Sequence, residues 1–273
     1  MNIQVEDEDS LTERFDRQQE VGVIDMAVIR VPRISNFTDF NPLESIPGVS
    51  LRYVQHPSDL KQPDVIFLPG TKNTMDDLKW LRESGMEALI LKAAASGTLI
   101  FGICGGYQML GENLSDPHGV EAGGTMRGIG LLPVDTVFAE HKTRTQVHGK
   151  FLKLDEDFAP LRNVEFTGYE IHMGESTWKN GAAASTWTQD TVTGSEKTEG
   201  TFYQNVCGTY VHGIFDEKRV SEGIVSAILK QKGYSTLQIE GKDWKSYKEE
   251  QYDKLADILR ESLDMKAIYK MIE

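Results

Sequence analysis

Residues 98–110 read T-L-I-F-G-I-C-G-G-Y-Q-M-L. An apolar run stops at G-x-C-G-G and resumes as helix-forming sequence. A strand must end there, turn sharply and enter a helix almost at once. That is the context of a nucleophile elbow, with cysteine in the place that serine holds in other folds. Glycine on both sides suits the turn, because a Cβ would not fit. The turn would lift Sγ of Cys104 above the carboxyl ends of a parallel sheet, where open α/β sheets bind ligands. A thiolate there would face a helix N-terminus, whose partial positive charge favours an anion. The Gly105 N–H would point at an oxyanion formed at that sulfur. A free cysteine is more often a small packing residue, but the glycine flanks and the strand–helix context favour the nucleophile.

The sequence before the elbow supplies its sheet. Residues 23–31, 49–55, 63–70 and 98–104 are short, continuous apolar runs, as expected of strands buried on both faces of a parallel sheet. Helices separate them. Thr74 is read as an N-cap, with Asp76 and Asp77 in the first turn favouring the helix dipole. Met86, Leu89, Ile90, Ala93 and Ala94 form an amphipathic stripe closed by Gly97. A third helix starts just after Cys104 and runs to Gly111. This order predicts an α/β fold, an open and mostly parallel sheet flanked by helices.

From Thr136 the pattern changes. Residues 137–138, 145–154, 164–173 and 202–215 read as strands, which predicts additional antiparallel pairing. Residues 176–200, rich in Thr, Ser, Gly and Ala, read as a polar loop or hairpin. Helices return at 217–233 and at about 246–272, the last with a stripe of Tyr252, Leu255, Leu259 and Leu263. The predicted organisation is a polar, charge-rich linker over residues 1–20, a main domain over 21–233 and a helical extension over 234–273.

The 273 residues are 39% hydrophobic and 26% charged, enough to bury a real core. The formal net charge of −13 argues against nucleic acid, which rewards Lys and Arg. No stretch is long and apolar enough to span a bilayer, and the acidic first residues do not read as a signal peptide. Two cysteines, Cys104 and Cys207, make no disulfide framework, and no Cys/His cluster has zinc spacing. These features predict a cytoplasmic protein with reduced thiols and no metal.

A thiol nucleophile needs a base. His212, in G-T-Y-V-H-G-I-F-D at the end of an apolar run, is the best placed of six histidines. His172, in G-Y-E-I-H-M-G, comes second. His56, His118, His141 and His148 read as solvated or structural. Gly70 closes a strand as L-P-G-T, and its loop would lie beside the elbow and offer a second oxyanion donor. Losing one such donor can cost on the order of 10²–10³ in rate.

C-G-G-Y-Q with a downstream Y-V-H-G-I-F-D resembles the class I, triad-type glutamine amidotransferases. I-S-N-F-T-D-F (34–40), L-P-G-T-K-N-T (68–74), G-I-C-G-G-Y-Q-M-L-G (102–111), G-Y-E-I-H-M-G (168–174) and G-T-Y-V-H-G-I-F-D (208–216) together resemble the carboxyl-terminal half of the cobyric acid synthases. Five motifs in order make the likeness specific, and it spans residues 23–216. It implies glutamine hydrolysis at Cys104, with Gly70 and Gly105 as oxyanion donors and His212 as base. Gln108, Tyr169 and His172 would grip glutamine. The resemblance further implies that the ammonia passes to a synthetase domain, a missing amino-terminal half or a separate subunit. ATP and Mg would act there to amidate carboxylates of a corrinoid, cobyrinic acid a,c-diamide becoming cobyric acid in cobalamin biosynthesis. No cofactor is expected in this domain.

Two departures stand out. Triad amidotransferases carry His-x-Glu, but the residue two beyond His212 is Ile214. Glu170, Asp216 or a backbone carbonyl is left to orient the imidazole, and a less well oriented base predicts slow turnover. The family's ATP-binding half is also absent; no G-x-x-x-x-G-K-[ST] occurs. Other readings are a glutaminase for a different ligase (a cell-wall lipid amidating complex or cobyrinic acid diamide synthase), a cysteine peptidase or γ-glutamyl hydrolase, and a silent module that docks a synthetase.

Overall fold

The computed structural model describes residues 22–179, 181–234, 241 and 243–272; the predicted linker over residues 1–20 lies outside them. The four apolar runs of the first half form strands β1 (Ile24–Ile29), β2 (Val49–Val54), β3 (Val65–Leu68) and β4 (Leu99–Ile103). Between and after them come the short helices α1 (Asn41–Glu44) and α2 (Pro57–Leu60), then α3 (Thr74–Glu83), α4 (Met86–Ala95) and α5 (Gly105–Leu110). All residues of β1, β3 and β4 are buried. That is why these strands read as unbroken apolar sequence rather than as alternation.

The second half contributes β5 (Asn113–Asp116), β6 (Gly124–Arg127), β7 (Val134–Phe151), β8 (Glu165–Trp178), β9 (Thr186–Asp190), β10 (Glu196–Glu199), β11 (Thr201–Tyr203), β12 (Val206–Thr209) and β13 (Val211–His212). Helices α6 (Lys218–Gln231), α7 (Trp244–Ser262) and α8 (Met265–Ile272) follow. The described strands make two sheets. The first has the order β11-β12-β4-β3-β1-β2, parallel except for the edge strand β11. The second runs β10-β9-β7-β5-β6, with β8 paired to β7 and β13 to β8. Its pairings are antiparallel except for β5 with β7. Phe40, Phe67, Phe101, Phe158 and Phe215 lock the first sheet to the segments around it, with neighbouring ring centroids 5.2–6.4 Å apart.

Several elements differ from the sequence expectation. The N-cap of α3 is Asn73, whose side chain accepts from Asp76 N at 2.9 Å; the Thr74 hydroxyl donates instead to Gln108 Oε1 at 2.9 Å. Residues 202–215 are not one strand. Gln204 at φ 53° turns β11 into β12, and Gly213 at φ 71° ends β13 before a 3-10 turn. The long β7 joins two predicted pieces; of the two readings of residues 176–200, loop or hairpin, β9 with β10 makes 186–199 the hairpin. The last helix breaks at Leu263, which is extended at φ −117°, ψ 148°. The predicted cap of α4 is present: Gly97 has φ 89°, Gly97 N bonds Ala94 O and Thr98 N bonds Ala93 O, a Schellman closure.

Candidate active site

Cys104 stands between β4 and α5 at φ 51°, ψ −109°. A side chain at positive φ is strained and persists only when its surroundings enforce it. Here Cys104 N donates to Thr209 O at 2.8 Å, and Cys104 O accepts from Gln108 N at 3.0 Å. β12 therefore holds one side of the elbow and α5 the other. A Cβ on Gly102 would lie 2.7 Å from Tyr107 N, so the strand before the elbow can approach the helix only as glycine. The thiol is 7% exposed and lies 3.7 Å from the carbonyl oxygen of Ile171 in β8.

His212 comes to the same place from the far end of the chain. β13 pairs with β8, His212 opposite Tyr169, and the Cys104 side chain lies close enough to the imidazole to favour its charged form. The Tyr169 ring stacks on it at 5.3 Å and 22°. Gly70 and Gly105 border the pair. A Cβ on Gly70 would come 2.8 Å from His212 Cε1, and one on Gly105 would come 3.2 Å from Thr71 N. Gly105 N opens a helix, where the first amides have no intrahelical acceptor.

The acid beside His212 is neither of those expected. Asp39, in the 3-10 turn Phe37–Phe40, places Oδ2 2.7 Å from His212 Nδ1 and accepts the Gly213 N–H on Oδ1 at 2.8 Å. Glu170 faces the other way: its Oε2 lies 3.0 Å from His172 Nε2 and 2.6 Å from Lys197 Nζ. Adjacent residues on β8 point to opposite faces, so a register that stacks Tyr169 on His212 turns Glu170 from it. Asp216 Oδ2 pairs with Lys248 at 2.9 Å, beyond the turn at Gly213. Burial disfavours a charged His212, but Asp39 and then Cys104 outweigh it and lift the ring to about 10.

Of the three residues expected to grip glutamine, Gln108 sits closest to the elbow. Its Oε1 accepts from Thr74, its Nε2 donates to Tyr210 OH at 3.4 Å, and it packs against Gly174. Tyr169 is turned to His212, and its hydroxyl accepts from Asn36 Nδ2 at 2.5 Å. His172 has both ring nitrogens engaged within the protein, with Gly174 O at 2.8 Å and Glu170, and its ring stacks on Tyr210 at 3.8 Å. That leaves it no ring N–H for a ligand. His56, His118, His141 and His148 are exposed. Cys207 is fully buried in β12, where burial pushes its thiol up. Asp39, Asn36 and Tyr210 were not singled out from the sequence, and Thr74 only as a helix cap. The first two lie in I-S-N-F-T-D-F, a motif visible there without a role. Among the described residues no group of His, Cys, Asp and Glu could hold a metal, and no helix is long and apolar enough to cross a membrane.

Residues 25–220 match the family of CobB/CobQ-like glutamine amidotransferase domains. The chain is 51% identical over 282 residues to the cobyric acid synthase of Lachnoclostridium phytofermentans, covering 99% of this chain and 54% of that protein. It is 50% identical over 275 residues to that of Ruminiclostridium cellulolyticum, covering 100% and 54%. The chain thus spans about half the length of these curated relatives. Among solved structures, PurLQS from Thermotoga maritima superposes with a TM-score of 0.57 at 21% identity, over 76% of this chain and 98% of that one. A glutamine amidotransferase crystal structure gives 0.54 at 15% identity, over 76% and 98%. At these identities the likeness shows the fold.

Proposed function

Because this chain belongs to the family of CobB/CobQ-like glutamine amidotransferase domains, we propose that it is the glutaminase part of a cobyric acid synthase. The observation that carries the reading is a cysteine at positive φ beside a buried histidine that is itself seated on a carboxylate. A bare fold likeness would not assign chemistry; this arrangement supports the reading.

In the proposed reaction Cys104 Sγ attacks the amide carbon of glutamine. His212, lifted to about 10, carries the proton that Sγ has given up. It delivers that proton to the nitrogen of the tetrahedral adduct, the C–N bond breaks, and ammonia leaves with the γ-glutamyl group held on sulfur as a thioester. Water, activated by the now neutral ring, releases glutamate. The amides of Gly70 and Gly105 receive the oxyanion in both steps. Gln108, held by Thr74 and Tyr210, lines the substrate pocket. The synthetase half, which the relatives' greater length accommodates, uses the ammonia with ATP and Mg to amidate corrinoid carboxylates. We place the enzyme in the cytoplasm, where its thiol stays reduced. The relatives' shared name favours this ligase over a cell-wall or diamide-forming one.

The test joins this chain to the synthetase half of a cobyric acid synthase. Cys104→Ser should abolish glutamine-dependent amidation and spare amidation with free ammonia. Loss of both activities, or of neither, would reject the assignment.

A further inference from the structure

Resting on the glutaminase reading, we infer that Asp39 is the positioning acid of the catalytic histidine, supplied by the β1–β2 connection in place of the glutamate that triad enzymes carry two residues beyond it. Ile214 occupies that later position and is wholly buried among apolar side chains. The need for an acid is met from 173 residues upstream.

The geometry is that of an orienting acid. Asp39 is 4% exposed and His212 1%. One carboxylate oxygen takes Nδ1 and the other takes the N–H of Gly213, so carboxylate and backbone fix both the tautomer and the swing of the ring. Nε2 is left for the Cys104 side. Among the described residues no other cation pairs with Asp39, and a buried carboxylate without a partner would be costly. The titratable groups facing the imidazole are Asp39, Cys104 and Tyr169.

The same loop reaches further. Asn36, at φ 52°, donates to the Tyr169 hydroxyl, and Tyr169 stacks on His212. Ser35 N donates to Gly70 O at 2.9 Å, and Ile34 bridges Thr71. Residues 34–40 thus set the base, the ring that covers it and the loop of one oxyanion donor. This gives I-S-N-F-T-D-F a physical role. It also makes the connection a single device for assembling the site.

The test uses Asp39→Asn, with Asp39→Glu as the conservative variant and Asp216→Asn as the rival. Glutamine hydrolysis in the full synthase should fall about 10²-fold or more in kcat for Asp39→Asn, with KM within about two-fold. Asp39→Glu should recover part of it, and Asp216→Asn should retain most of it. The pH profile of Cys104 alkylation by iodoacetamide should shift in Asp39→Asn and stay in place in Asp216→Asn. In the unmutated chain, a far-downfield Nδ1 proton resonance should be present and vanish in His212→Gln; this reads the contact even where an Asp39 variant does not fold. Absence of that resonance, or a kinetic loss confined to Asp216→Asn, overturns the inference. Failure of the unmutated synthase to release ammonia from glutamine, with the resonance present, would instead reject the glutaminase reading and leave the Asp39–His212 pairing standing.

Discussion

Gly106 lies so close beneath the Leu68 carbonyl that a Cβ built on it would sit 2.0 Å from that oxygen. The contact joins the start of α5 to the end of β3, next to the strained Cys104. Because the obstacle is backbone, no rotamer change relieves it. Gly106→Ala should push α5 from the sheet and destabilise the fold by at least the roughly 1–3 kcal/mol of an overpacked core. A urea melt measures this. An unchanged midpoint would mean that the elbow is looser than the geometry states.

The two thiols should behave as different chemical species. Cys104 is slightly exposed and lies beside an imidazole, whereas Cys207 is fully buried and its thiol is pushed up by burial. A small alkylating agent at neutral pH should modify the folded chain once, at Cys104, and reach Cys207 only after denaturation. Peptide mapping by mass spectrometry decides it; modification of Cys207 in the folded chain would reverse the assignment.

Much of this site was legible locally. The elbow declares itself because strand, glycines and helix are contiguous, and β1, β3 and β4 because burial on both faces makes them apolar throughout. β5 and β6 were not legible. N-L-S-D and G-T-M-R bury Leu114 and Asp116 and little else, and the pairing of β5 with β7 and of β6 with β5, rather than propensity, makes them strands. The break at Leu263 was masked because Leu263 itself falls on the apolar stripe of Tyr252, Leu255 and Leu259. Asp39 was missed for a topological reason. Glu170 and Asp216 stand nearer His212 in sequence, while the sheet order sets the end of β1 beside β3 and so brings residue 39 to residue 212.

The buried ion pair has a pH signature. The His212 value rises from its ordinary 6.5 to about 10 in the folded chain. A group raised on folding contributes its full stabilisation below the unfolded value and loses it as pH climbs through the folded one. Stability should therefore decline between pH 6.5 and about 10, by an amount on the order of a few kcal/mol from this group. Urea melts across that range should show the decline, and His212→Gln should flatten it. An equal slope in the variant would assign the effect elsewhere.

Gly174 offers a way to move Gln108, proposed to line the substrate pocket, without touching Cys104. A Cβ there would lie 2.1 Å from Gln108 Nε2 and 2.9 Å from Thr136 Cγ2. Both atoms are the ends of side chains, and the Gln108 amide can swing away at the cost of its bonds to Thr74 and Tyr210. Gly174→Ala should accordingly fold, with a melting temperature close to that of the parent chain. The displaced amide would alter how glutamine is held before the sulfur attacks. That loss falls on ground state and transition state alike, so KM for glutamine should rise about ten-fold while kcat changes little. Steady-state glutaminase kinetics on the full synthase provide the measurement. An unchanged KM in a folded variant would remove Gln108 from the substrate pocket, since no smaller perturbation reaches that amide so directly.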